Sequence, residues 1–163
     1  EMRVAEYLGF RGRLRGLRGA RLTGRLRDVM DRCGLSEVSR RRLGTLSRGF
    51  RQRTGLADCL LHEPDILLLD EPMAGMDPVQ VRGILGLLRG LSRHCAMLVS
   101  THVLAEAEEL CHRVLILNGG RLAAADTPAR LAEAHGGKGF EEAFLRLTTL
   151  PPKVQNPVAR APE

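Results

Sequence analysis

Apolar residues recur at helical spacing through the first third of the chain and gather into short unbroken runs after it. Across residues 4–17, Val4, Leu8, Arg11 and Leu14 fall on nearby helical positions, and Tyr7, Phe10, Leu14 and Leu17 make a cleaner apolar stripe. Residues 21–33 place Leu22, Leu26, Val29, Met30 and Cys33 on one helical face, and Gly34 fits the helix stop. Residues 1–45 therefore read as a small helical unit, although several glycines weaken its helices. Residues 49–62 continue as a helix. Residues 66–70 (I-L-L-L-D) are a continuous apolar run, as expected of a strand buried on both faces. Residues 78–92 read as a helix opened by Pro78, 96–100 (A-M-L-V-S) as a second buried strand, and 103–110 as a helix. Residues 113–117 and 121–125 flank Asn118-Gly119-Gly120, a hairpin signal, and Thr127-Pro128 caps another helix. The alternation of strand and helix predicts an α/β fold, with a parallel sheet core and an antiparallel hairpin at its edge. The tail from Pro151 carries four of the eight prolines and reads as a disordered end.

Composition narrows the classes. With 44% hydrophobic and 27% charged residues, the 163-residue chain suits a globular domain with a real core. The net charge of +6 is unevenly spread: residues 1–62 hold 15 basic and 6 acidic side chains, whereas residues 63–163 hold 10 and 13. The N-terminal segment could face an anionic surface such as nucleic acid or lipid, or simply present a solvated arginine-rich face. One Tyr, four Phe and no Trp argue against single-strand nucleic-acid binding by base stacking. Cys33, Cys59, Cys95 and Cys111 form neither a C-x-x-C pair nor a metal-ligand spacing and read as reduced thiols. The apolar runs are too short to cross a bilayer as helices, and no signal-peptide pattern is evident.

Four short motifs could carry chemistry. Leu69-Asp70-Glu71-Pro72 ends an apolar strand in two acids, at the sheet edge where open α/β folds bind ligands. A carboxylate there suits a hard cation such as Mg²⁺, and its neighbour could orient a water; strand-end capping is the alternative. Leu46-Ser47-Arg48-Gly49 precedes a helix and offers free backbone N–H groups and a hydroxyl to phosphate, or an ordinary N-cap. Ser100-Thr101-His102 ends the second strand, where the imidazole could meet a terminal phosphate or serve structure alone. In Gly75-Met76-Asp77-Pro78, Asp77 is a complete N-cap for the next helix.

Taken together and in this order, L-S-R-G-F-R-Q-R, I-L-L-L-D-E-P, G-M-D-P and S-T-H resemble the signature motif, Walker B strand, D-loop and switch histidine of ABC ATPases. The stretch from Leu104 through Leu131 continues the resemblance, which covers residues 1–148 and is strongest to bacterial ABC-2 type exporter ATPases. The resemblance implies a partial P-loop NTPase (RecA-like) core at 46–148, a helical signature subdomain at 1–45 and a Pro-rich tail at 149–163. It implies that Asp70 holds the Mg²⁺ shell, Glu71 polarises the attacking water and His102 senses the γ-phosphate. Leu46, Ser47, Arg48 and Gly49 would face an ATP held by a second ATPase subunit, and Asp77 would cross that dimer interface. It further implies a membrane permease as partner, a cytoplasmic position at the inner membrane face, and no nucleic-acid partner. Arg48 stands where the family has its second signature glycine, Phe50 replaces the usual Gln, and Met73-Ala74 replaces a frequent Thr-Ser.

G-x-x-x-x-G-K-[ST] does not occur in the sequence. Gly136-Gly137-Lys138-Gly139 imitates it, but with Ala132 in place of the first glycine and Gly139 in place of the hydroxyl residue. The Gln-bearing loop that precedes the helical subdomain is missing too. The expectation is thus the C-terminal part of an exporter ATPase, inactive alone. The alternative is a non-enzymatic module that docks a permease or a complete ATPase. A soluble ABC ATPase acting on nucleic acid is a third reading.

Overall fold

The structure, a computed structural model, describes residues 1–135 and 138–149. Of the tail expected at 149–163, Thr149 ends a helix and the rest lies outside the described residues, as does Gly136-Gly137 of the P-loop imitation. The chain divides into two compact units, Glu1–His102 and Val103–Glu163.

The first unit opens with helices α1 (Val4–Leu14) and α2 (Gly19–Arg32), which lead through short 3-10 turns to α3 (Arg48–Leu60). Strand β1 (Ile66–Asp70), helix α4 (Pro78–Leu91) and strand β2 (Ala96–Ser100) follow. Of the positions expected on the first helix, Val4 and Leu8 are buried, but the Phe10–Leu14 stripe is not. Phe10 is 44% and Leu14 63% exposed, while Val4, Leu8, Gly9 and Gly12 are buried. The reason is close approach: a Cβ at Gly12 would lie 2.5 Å from Cδ1 of Leu22 on α2. The glycines that weaken α1 as an isolated helix are what let it lie against α2. On α2 the expected face holds, with Leu22, Val29 and Cys33 buried, and Gly34 takes φ +62 at the stop.

One carboxylate ties α1 to α3. Asp58, only 6% exposed, accepts hydrogen bonds from Nε of Arg11, Nη1 of Arg15 and the hydroxyl of Tyr7. Burial works to raise its pKa, but the bonds and charges of Arg11 and Arg15 together overcome this and hold it below the ordinary carboxylate range. Burial, seconded by the Asp58 charge, pushes the Tyr7 phenol up. Arg25 of α2 donates to the carbonyls of Leu60 and Leu61 at 2.7 and 3.2 Å, occupying acceptors that the end of α3 leaves open.

β1 and β2 pair in parallel with Ile66 opposite Ala96 and Asp70 opposite Ser100. The expectation that these strands are buried on both faces is corrected. Successive strand residues point to opposite sides. Leu67 is buried, but Ile66, Leu68 and Leu98 are 67, 70 and 60% exposed, so one sheet face is open.

The second unit carries α5 (Leu104–Leu110), the hairpin β3 (Val114–Asn118) and β4 (Arg121–Asp126), then α6 (Pro128–His135) and α7 (Phe140–Thr149). Gly119 and Gly120 turn the hairpin with φ +57 and +74, as a tight two-residue loop requires. Thr127 Oγ1 accepts from the backbone N–H of Arg130 and caps α6. Val114, Ile116, Leu131 and Phe140 form the core of this unit. The hairpin was expected to extend the edge of the parallel sheet. Among the described residues it instead forms its own two-stranded sheet, separate from β1–β2. Its inward residues are satisfied by α6 and α7. The last of these helices follows a glycine cluster and went unpredicted.

Candidate functional site

The C-terminal ends of β1 and β2 bring Asp70, Glu71, Ser100 and His102 together. Parallel register sets Asp70 beside Ser100, whose hydroxyl donates to Asp70 Oδ1. The Glu71 backbone N–H donates to both the carbonyl and the Oγ of Ser100, each at 3.1 Å. These bonds hold Glu71 at φ +47, a conformation disfavoured for a residue with a Cβ. The strained backbone turns the Glu71 side chain to His102, whose Nδ1 lies 2.6 Å from Oε1. Both side chains are accessible, with His102 74% and Glu71 36% exposed. Asp70 also lines a cleft of about 240 Å³ with Gln52, Leu56, Leu69 and Pro72, between α3 and the end of β1.

The second group forms around the start of α3. Ser47 caps it, accepting from the N–H of Phe50 at 3.4 Å, and the carbonyl of buried Leu46 accepts from Nη1 of Arg51. Asp77 caps α4, its Oδ1 accepting from the N–H groups of Val79 and Gln80 at 3.0 Å each. The two helix starts interlock. The Gln80 side chain packs directly on the Gly49 α-carbon, occupying the place of a Cβ. Reciprocally, a Cβ at Gly75, which has φ +71, would lie 2.6 Å from Nη1 of Arg48. Arg48, the departure from the signature pattern, thus lies over the turn that leads to Asp77.

The structure therefore gathers Asp70, Glu71 and His102 into one group, and Leu46, Ser47, Arg48 and Gly49 into another beside Gly75 and Asp77. Sequence reasoning passed over Ser100 as a member of the first group and Gln80 as a member of the second. Ser100 was legible as the register partner of Asp70 once two parallel strands of equal length were expected. Gln80 carried no signal, because its contact with Gly49 joins residues 31 apart.

Among the described residues, no cluster of three or more His, Cys, Asp or Glu side chains is arranged to hold a metal ion. Mg²⁺ binds through one or two carboxylates and completes its octahedron with water and substrate phosphates. Asp70 and Ser100 supply hard oxygen donors of that kind at the sheet edge.

Residues 2–74 match the family model described as "ABC transporter". The ABC transporter ATP-binding protein YxlF of Bacillus subtilis, itself uncharacterized, is 40% identical over 121 residues, covering 74% of this chain and 41% of that protein. The Nod factor export ATP-binding protein I of Paraburkholderia xenovorans is 34% identical over 142 residues, covering 86% of this chain and 47% of that one. A solved ATP binding subunit of an ABC transporter superposes with a TM-score of 0.77 at 27% identity, covering 90% of this chain and 62% of that chain. The chain spans less than half the length of these two curated relatives. With its sheet-edge acids, its capped helix start and these relatives, the chain belongs to the ABC transporter ATP-binding family.

Proposed function

We propose that this chain supplies the Walker B, switch and signature elements of an ATP-hydrolysing subunit of an ABC exporter. The observation that carries the reading is the joining of Asp70, Glu71 and His102 at the C-terminal edge of the parallel strands. In this reading Asp70, oriented by Ser100, holds the Mg²⁺ shell. Bound Mg²⁺ neutralises charge on the β- and γ-phosphates. Glu71 accepts a proton from the attacking water, and His102, held at 2.6 Å from it, orients the carboxylate and meets the terminal phosphate. Ser47 and Gly49 present the start of α3, with its free N–H groups and partial positive charge, to ATP held by a second subunit. Asp77 reaches across the same interface. The partners are a second ATPase subunit and a membrane permease, with the chain peripheral at the cytoplasmic membrane face. No helix among the described residues is long and apolar enough to cross a membrane.

Hydrolysis also needs a P-loop, whose backbone N–H groups and Lys cradle the phosphates, and these 163 residues contain none. A second reading is a non-enzymatic module that docks a permease or a complete ATPase. One experiment separates the two. The chain is joined to a P-loop-bearing segment from a relative, and steady-state ATPase activity is measured. Turnover that falls by roughly 10²–10⁴ in Glu71→Gln while ATP affinity holds supports the enzyme reading. Asp70→Asn should in addition weaken the Mg²⁺ dependence. Turnover unchanged by Glu71→Gln would return the acids to strand-end capping and leave the docking module.

A further inference from the structure

The stretch of the first unit where α1 turns into α2 combines exposed cations with exposed apolar side chains. Residues 7–27 contain seven arginines and no Asp or Glu. Three are matched by acids from elsewhere: Arg11 and Arg15 by Asp58, and Arg25 by Asp28 and Glu63. Arg21 reaches Glu63 only at 4.0 Å, with its side chain 73% exposed. Arg13 and Arg27 are exposed and form no ion pair among the described residues. Arg18 folds onto the end of α1, its Nη1 donating to the carbonyls of Arg13 and Leu17 at 2.6 and 3.0 Å. That places a cation on the C-terminal end of α1, where positive charge is stabilised.

Phe10 and Leu14 stand one turn apart on α1, 44% and 63% exposed, with Arg13 on the neighbouring position. The turn beyond them is bare. A Cβ built at Gly16 or Gly19 meets nothing within 4 Å. An exposed apolar pair beside Arg13, on a stretch whose residues 7–27 carry seven arginines and no acid of their own, has the surface chemistry of interfacial membrane contact. The rings and methyl groups enter the headgroup–acyl boundary and the guanidinium groups meet lipid phosphates.

We propose that this stretch docks on the surface of an anionic phospholipid bilayer, through Phe10 and Leu14 as apolar contacts and Arg13, Arg18 and Arg21 as phosphate contacts. The proposal does not depend on ATP chemistry. A nucleic-acid duplex would satisfy the arginines but has no use for Phe10 and Leu14, and the chain has few aromatic platforms for unpaired bases.

The test is co-sedimentation of the full chain with vesicles of pure phosphatidylcholine, and with vesicles of phosphatidylcholine and phosphatidylglycerol in equal parts. Binding is expected to the anionic vesicles, much weaker to the neutral ones, and reduced by added salt. Arg13→Gln with Arg21→Gln should lower the partition coefficient about fivefold per arginine. Phe10→Ser with Leu14→Ser should lower it on the order of tenfold. All four positions are at the surface, and circular dichroism confirms that the variants fold. No vesicle binding, equal binding to neutral vesicles, or unchanged binding by the Phe10/Leu14 variant would overturn the proposal. So would tighter binding to a random-sequence DNA duplex than to the anionic vesicles.

Discussion

Arg11 on α1 donates through one Nε to both oxygens of Asp58 on α3, at 3.1 and 2.9 Å, across 47 residues of sequence. Arg15 and Tyr7, also on α1, converge on the same carboxylate. A single buried acid thereby fixes the first helix of the chain against the helix that begins at Ser47. Removing it leaves two guanidinium groups over a desolvated cavity. Asp58→Ala should cost about 3 kcal/mol, the lower end for breaking a buried pair because both arginines keep some water. Denaturant titration of the variant measures it.

The same carboxylate predicts an acid limb in the stability profile. Its folded pKa is depressed by Arg11 and Arg15 against the opposing effect of burial. A depressed carboxylate contributes its full stabilisation above the unfolded value, about 3.9. The contribution is lost as pH falls below that value and through the lower folded pKa. Between neutral pH and about pH 5 this group leaves stability flat. Below about pH 4 the wild-type chain should lose stability more steeply than Asp58→Asn, as read by melting temperature across the acid range.

Ser100 holds the sheet-edge site through two side-chain bonds, donating to Asp70 and accepting from the Glu71 N–H. Ser100→Ala removes both and releases the restraint on the φ +47 backbone of Glu71. The expected loss is about 1–2 kcal/mol of stability, together with a shift of the His102 imidazole resonances as Glu71 relaxes. Unmoved resonances would show that the backbone bond from Glu71 to the Ser100 carbonyl suffices.

Gly49 and Gln80 should be coupled. Gly49→Ala drives a methyl into the Gln80 side chain, and overpacking of this kind costs about 1–3 kcal/mol. Gln80→Ala vacates that space. In a double-mutant cycle, the Gly49→Ala penalty should largely disappear in the Gln80→Ala background. Additive penalties would mean that the glycine is required for its backbone instead.

Cys33 should be inert. It is 2% exposed, and burial pushes its thiol up to about 12. The thiolate is the reactive form, so at mild alkaline pH a disulfide reagent should modify Cys33 only after denaturant unfolds the first unit. Fast labelling of the native chain would contradict the packing of α2.

The sequence by itself determined the local elements and the order of the motifs. The strands 66–70 and 96–100, the Pro78 helix start, the Asn118-Gly119-Gly120 hairpin and the Gly34 stop all form, because spacing, turn chemistry and caps act over a few residues. The candidate acids at the end of the first strand were legible for the same reason. The buried face of α1 was legible only at Val4 and Leu8, because apolar size also points to Phe10 and Leu14 whereas close packing selects Gly9 and Gly12, and only the approach of Leu22 reveals them. The open face of β1 was equally hidden, since an unbroken apolar run does not say how many of its sides are covered. The Asp58 hub, the Gln80–Gly49 contact and the Glu71–His102 pair join residues 30 or more apart. Their geometry is set by strand register and helix packing, so only the tertiary structure decided them.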